Sequence, residues 1–373
     1  MLACATSHLD WMIALIDQLA RLESPSTDPH LLHRCGVALA HVLSELGASV
    51  TTWPRGDGGD HLRAEFGHGR SQVLLLGHFD TVWSEGQIAR MPVHRDEERI
   101  YGPGVYDMKA GIAIGLTAVR CLSELGRMPG HRIVMLLTCD EETGSASSRT
   151  LIETEAQRSR AVLVLEPALP GGALKTSRKG VGEFRIRACG VPAHAGIEPE
   201  KGASAIHELA WQLDKLTGLA DSGRGIAINV GVFRGGERSN VVAESAYMDV
   251  DVRVETMRDA ERISRAMAAL APRDVRVTLE VSGSMSRPPL ERTPGVLELY
   301  GIAARVAREC GQDLGEGATG GGSDGNFTAA LGIPTLDGLG ADGGGAHALH
   351  EHALIASLPF RAALVAGILT RLQ

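Results

Sequence analysis

The stretch from Gln72 to Gly111, QVLLLGHFDTVWSEGQIARMPVHRDEERIYGPGVYDMKAG, constrains this chain more than any other. Its four consecutive apolar residues, Val73 to Leu76, leave no polar face, which fits a strand buried on both sides. The run stops at Gly77-His78-Phe79-Asp80-Thr81, and a second polar cluster, 102–109, opens onto a small-residue helical pattern from Ala110. Open parallel sheets place their chemistry outside the carboxyl ends of their strands. Residues two apart on a strand face one side, so His78 and Asp80 point the same way. An imidazole with a carboxylate beside it is the arrangement of a metal-binding histidine and the acid that orients it.

Two more apolar runs end in acids. Arg132 to Thr138 runs into Cys139-Asp140-Glu141-Glu142, and Ala161 to Leu165 into Glu166-Pro167. Helical periods cover the N-terminal segment (Trp11, Leu15, Leu19 and Leu22 on one stripe), Leu31 to Leu46, Ala110 to Leu125 and Ser147 to Glu155. Short strands are expected at Ser49 to Trp53 and Leu62 to Phe66, flanking a Gly/Asp loop. Strands alternating with helices predict an α/β class with a mostly parallel sheet covered on both faces. The pattern changes near Gly180. Strands at 182–189, 226–233, 245–254 and 275–281, with helices at 203–216 and 258–270, form two βαβ-like halves of a ferredoxin-like α+β unit. A helix at 295–309, a strand near 333–336 and a last helix from Pro359 then complete the α/β layer. The expected organisation is a catalytic domain, 1–179 and 292–373, enclosing an inserted domain, 180–291.

Composition excludes other classes. The chain of 373 residues carries a formal net charge of −8, and no Lys/Arg run suggests nucleic acid. No apolar run reaches the length of a membrane span, and Asp10 and Asp17 interrupt the N-terminal segment, which lacks the features of a secretory leader. The expectation is a cytoplasmic protein with neither a nucleic-acid nor a membrane partner. The six cysteines are dispersed without metal-ligand or redox spacing, and most read as small buried hydrophobes of a reducing compartment.

Histidines and acids at separate strand ends suit zinc, whose usual ligands are imidazole nitrogen, carboxylate oxygen and thiolate sulfur. The motifs GHFDTV (77–82), YGPGVYDMKAG (101–111), DEETGS (140–145), EP (166–167), PAHAG (192–196), GGGSD (320–324) and GAHALHE (345–351) occur in this order. In them the chain resembles the co-catalytic two-zinc metallopeptidases: glutamate carboxypeptidases, acetylornithine deacetylases, succinyl-diaminopimelate desuccinylases and aminoacylases. The resemblance covers nearly the whole chain, and several motifs in fixed order carry far more weight than one Gly-rich match.

The resemblance implies a zinc-peptidase-like catalytic domain with an inserted dimerisation or lid domain. It implies two divalent metal ions, Zn2+ first, with Co2+ or Mn2+ as alternatives. Asp107 would bridge them, with His78 and Glu166 completing one site and Glu142 and His347 the other. Asp80 would orient His78, Glu141 would be the general base, and the bond between Asp107 and Met108 would be cis. His194, Asn240 and Arg253 match substrate contacts, and Arg287 a carboxylate-binding arginine. The C-terminal motif offers His347, His350 and His352; His347 is chosen because it follows the Gly-rich turn and precedes Glu351 by four residues, with His350 as its competitor. The implied activity is hydrolysis of an amide that releases a C-terminal amino acid, glutamate first, from an N-acyl or peptidyl group. The alternative is deacylation of an N-acetyl or N-succinyl amino acid. A homodimer through the inserted domain would present His194 to the neighbouring subunit. A metal-free scaffold is disfavoured, because nothing else would hold these acids together, and a nucleotide site lacks its strand–loop–helix fingerprint.

Overall fold

The computed structural model describes residues 1–56 and 59–372. They fall into two units, Met1–Thr176 with Arg292–Thr319 and Ser323–Gln373, and Ser177–Glu291 with Gly320–Gly322. Residues 57 and 58 of the expected Gly/Asp loop lie outside the described residues.

The first unit begins with α1 (Leu2–Ser7), α2 (Leu9–Arg21) and α3 (Pro29–Glu45). One N-terminal helix was expected; the chain instead breaks at His8, at φ −99° and ψ 9°. Met12, Leu15, Ile16 and Leu19 are buried, while Trp11 and Leu22 lie half-buried at the edges of the stripe. Asp28 caps α3 by accepting hydrogen bonds from the His30 and Leu31 N–H groups, with Pro29 in the first turn. Next come β1 (Ser49–Pro54), β2 (Asp60–Phe66), β3 (Gln72–His78), β4 (His94–Arg95), β5 (Arg99–Tyr101), α4 (Ala110–Glu124), β6 (Arg132–Thr138), α5 (Arg149–Gln157), β7 (Ser159–Val164) and β8 (Leu174–Arg178).

The second unit contains β9 (Gly180–Cys189), α6 (Ala205–Thr217), β10 (Ala227–Gly235), β11 (Ser245–Val254), α7 (Met257–Ala268) and β12 (Thr278–Arg287). Its antiparallel sheet has the order β10-β11-β9-β12, the ferredoxin-like arrangement. Inward residues such as Ile186, Met248 and Val250 share a core with Leu209 of α6 and Ile263 of α7. The last strand was expected at 275–281 and lies later. Asp274 holds a turn there, accepting from the Arg276 N–H at its side chain and the Val277 N–H at its carbonyl. The strand then continues through Ser282, Gly283 and Ser284, which show no apolar pattern but pair with Arg185, Phe184 and Glu183.

The chain returns to the first unit with α8 (Pro294–Glu309), β13 (Glu316–Thr319), α9 (Gly325–Ala330), β14 (Thr335–Leu336), β15 (Gly343–Gly344), β16 (His352–Leu354) and α10 (Leu358–Leu369). The central sheet runs β1-β2-β6-β3-β7-β14. Strands β6, β3, β7 and β14 are mutually parallel, and β1 and β2 form an antiparallel edge. Val73 and Leu75 of β3 pack into one cluster with Ile112 of α4 and Leu364 of α10. Leu74 and Leu76 pack into another with Ile152 of α5 and Phe327. The helices therefore cover both faces, as the unbroken apolar run predicts. A small antiparallel sheet, β15-β16-β5-β4, was not foreseen, since strands of two or three residues carry no readable period. It ties the segment around His347 to the segment that leads into Asp107.

Candidate metal centre

The parallel strands β3 and β6 end side by side, with His78 in register with Thr138. Beyond them Phe79 N–H donates to the Thr138 carbonyl, so the GHFDT and DEE segments leave the sheet together. The loop before α4 crosses this end closely enough that two glycines are required. A Cβ on Gly77 would lie 2.7 Å from Met108 Cε, and one on Gly111 would collide with the Leu165 carbonyl. The bond between Asp107 and Met108 is cis.

Asp80 is fully buried and joins three segments. It accepts from Ser26 Oγ at 2.7 Å and from the N–H groups of Glu141 and Glu142, each at 3.2 Å. His78 Nδ1 lies 3.1 Å from the Asp80 carbonyl and 3.4 Å from Asp80 Oδ1. With acceptors on that side, Nδ1 carries a proton and Nε2 faces the cluster.

Two groups of ligand atoms meet there, His78 with Asp107 and Glu166, and Asp107 with Glu142 and His347. His78 Nε2 is 3.4 Å from Asp107 Oδ1 and 3.3 Å from Glu166 Oε1. His347 Nε2 is 3.5 Å from Asp107 Oδ2 and 3.2 Å from Glu142 Oε2. His347 stands at φ 61°, in the left-handed region uncommon outside glycine, just after Gly345 at φ 77°. Among the described residues His350 and His352 belong to neither group. His352 instead turns its Nδ1 to the His350 carbonyl at 2.9 Å and tilts against Tyr101.

The DEE triplet separates by role. Asp140 bonds its own loop, accepting from Ser147 N–H at 2.8 Å, Ser147 Oγ at 2.6 Å and Ser148 N–H at 3.2 Å. Glu142 enters the ligand group, and half-buried Glu141 heads the single turn Glu141–Thr143. Sequence reasoning placed Glu351 only as a motif position and missed what it does. Buried Glu351 accepts from the N–H groups of Gly104, Tyr106 and Asp107 at 3.0–3.1 Å and from Trp83 Nε1 at 3.0 Å. It thereby cradles the loop that presents Asp107; an acid four residues after the candidate ligand was the only signal. Asp324 likewise secures the end of the DEETGS segment by accepting from Ser145 Oγ and Thr138 Oγ1.

Electrostatics show what the cluster would take. Burial pushes the His78 imidazole down, but the carboxylates of Asp107, Asp80 and Glu166 raise it well above its usual range. Asp107 and Glu142 push His347 up to about 10. Burial raises Asp107, yet the two imidazoles hold its carboxyl far below the usual range. Burial raises Glu142. The acids thus retain protons on both histidines, and buried Asp107 Oδ1 finds no hydrogen-bond donor of ordinary geometry. Two divalent ions would neutralise the acids and occupy that oxygen, and the imidazole and carboxylate donors suit zinc.

The remaining predicted residues belong to the second unit. The exposed His194 pairs with Val241, and the Ala195 N–H donates to the Asn240 carbonyl at 3.0 Å, so His194 and Asn240 stand on adjacent segments. Gly196 N–H donates to His194 Nδ1 at 3.1 Å, which leaves the ring proton on Nε2. Arg253 and Arg287 lie toward the other end of that sheet, both opposite Val181 in one cross-strand row. The Arg253 guanidinium makes a two-point contact with Asp251, at 3.0 and 2.8 Å, while Arg287 is buried.

The profile of Peptidase family M20/M25/M40 matches residues 74–371. The chain is 29% identical over 378 residues to Carboxypeptidase G2 of Pseudomonas sp. (strain RS-16), covering 98% of this chain and 90% of that one. It is 27% identical over 317 residues to succinyl-diaminopimelate desuccinylase of Delftia acidovorans, covering 79% and 80%. Aminopeptidase PepT of Bacillus cereus shares the fold, with a TM-score of 0.76 at 23% identity over 95% of this chain and 97% of that one.

Proposed function

This chain belongs to Peptidase family M20/M25/M40 and is a metallohydrolase acting on amide bonds; we propose that it releases a C-terminal amino acid, glutamate first, from an N-acyl or peptidyl group. The observation that carries the reading is the pair of ligand groups sharing Asp107 at the carboxyl ends of β3 and β6. His78 and Glu166 would hold one ion, Glu142 and His347 the other, and Asp107 both. Two such ions would activate a water for attack at neutral pH and polarise the scissile carbonyl. Glu141 would take the proton from the attacking water and pass it to the leaving amine, since a base must stand beside the ligands without being one. Asp80 would keep His78 in the tautomer that offers Nε2. His194, with its proton on Nε2, would donate to the carbonyl oxygen as charge collects there. In the proposed homodimer, formed through the inserted unit in the cytoplasm, His194 would do so for the neighbouring subunit. Asn240, Arg253 and Arg287 would bind the substrate, the arginines its carboxylate, with the substrate displacing Asp251 from Arg253.

Glutamate release is favoured by the similarity to Carboxypeptidase G2 across 98% of the chain. The similarity to a desuccinylase sustains the alternative, removal of an acetyl or succinyl group from an amino acid. Incubating the zinc-loaded enzyme with N-acyl amino acids, including folate-like and peptidyl acyl groups, and identifying the released amine by mass spectrometry separates the two. Glutamate is expected; release of ornithine or diaminopimelate instead would overturn the first reading.

A further inference from the structure

A second cluster of metal-binding side chains lies away from the strand ends, between α1, the α1–α2 junction and α4. Cys4 Sγ, a His8 ring nitrogen and Cys121 Sγ all lie within 4.8 Å of one another. Glu124 joins them, its Oε2 2.7 Å from His8 Nε2 and 3.8 Å from Cys4 Sγ. We propose that Cys4, His8, Cys121 and Glu124 bind a divalent, sulfur-preferring metal ion such as zinc in a structural site that fastens α1 to α4.

Local geometry brings four donors from two pairs. Cys4 and His8 are four residues apart, and Cys121 and Glu124 are three apart, so each pair shares one side of its helical segment. Two sulfurs, one imidazole and one carboxylate make a four-donor set of the kind that tetrahedral zinc takes. Donors about 2.0–2.3 Å from a shared ion stand roughly 3.3–3.8 Å from one another. The 4.8 Å within which Cys4, His8 and Cys121 lie is therefore a small contraction away from that geometry, and Glu124 would reach the ion by giving up its hydrogen bond to His8. The carboxylate is already oriented. Arg120 Nε donates to Glu124 Oε1 at 2.9 Å and leaves Oε2 turned toward the cluster, while the Arg120 guanidinium stacks over Trp11 of α2. Buried Cys121 supplies the inner wall, and half-buried Cys4 and His8 the outer one.

The site has a structural use. Helix α1 has six residues and no side-chain cap at its N-terminus, which is too short to persist unaided. Cross-linking it to α4 would hold it against the core, where Ala5 is fully buried. Cys121 lies eleven residues along α4 from Ala110, about 17 Å of helix axis, so the ion would take no part in chemistry at Asp107. The donor sets around Asp107 contain only nitrogen and oxygen, which gives the second site its own spectroscopic signature.

The test compares the full chain with its Cys121→Ser and Cys4→Ser variants, all purified reduced and loaded with zinc or cobalt(II). The unaltered protein should bind one more equivalent of metal per chain than either variant. Its cobalt form should show sulfur-to-cobalt charge-transfer absorption in the near ultraviolet that the variants lack, with turnover unchanged. Equal metal content in all three proteins without that absorption would overturn the proposal, as would a Cys4–Cys121 disulfide that persists in the reduced preparation by mass spectrometry. Should the buried Cys121→Ser variant fail to fold, the half-buried Cys4→Ser variant decides the question by the same two readouts.

Discussion

Strands β3 and β11 solve opposite problems. All seven residues of β3 are buried, and consecutive side chains enter different cores. In β11 every second residue is buried, while Asp249, Asp251 and Arg253 occupy the open face. A strand covered on both faces cannot carry charge along its length without desolvating it, so the first unit gathers its polar groups at the strand ends. An open-faced antiparallel strand can carry charge at alternate positions, and the second unit does so along whole strands. The contrast explains why candidate ligands converge at the carboxyl end of one sheet, whereas candidate substrate groups are spread over another.

Substitutions can break or sharpen that contrast. The largest effect is expected at the strand ends: Glu141→Gln should lower turnover by about 10²–10⁴-fold, the usual loss for a general base, with metal content unchanged. Loss of one ion on metal analysis would mean that Glu141 is a ligand and that its role must be exchanged with that of Glu142. Next, Leu74→Ala and Leu75→Ala should each destabilise the fold by about 2–5 kcal/mol, because neighbouring residues of β3 fill separate cores. Denaturant titration together with hydrogen exchange of the β3 amides would measure this, and a tolerant member of the pair would break the two-faced description. In the second unit the penalty should alternate. Ile186→Val on the covered face of β9 should cost about 0.5–1.5 kcal/mol. The adjacent Arg187→Ala, on the exposed face, should leave the denaturation midpoint where it was. A shift at Arg187 as large as that at Ile186 would show that the second face is also covered.

Local periodicity alone determined a good deal of this protein. The unbroken run 73–76, the alternation at 248–254 and the acids and histidine closing apolar runs pointed to a two-faced parallel sheet, a ferredoxin-like unit and a candidate strand-end site. These features depend on neighbours a few residues apart, whose faces follow from helical and strand periods. Tertiary structure decided the rest. It turned Asp140 into its own loop while Glu142 joined His347, 205 positions away. It set Glu351 beneath the Asp107 loop, through bonds that span 244 to 247 positions. It set His347, of three nearby histidines, beside Asp107 and Glu142, on a left-handed backbone after a two-residue strand. It also brought together Cys4 and Cys121, which looked unrelated because no spacing along a chain encodes the packing of one helix on another. Sequence period fixes which way a side chain faces; which distant side chain it then meets depends on how the buried faces pack.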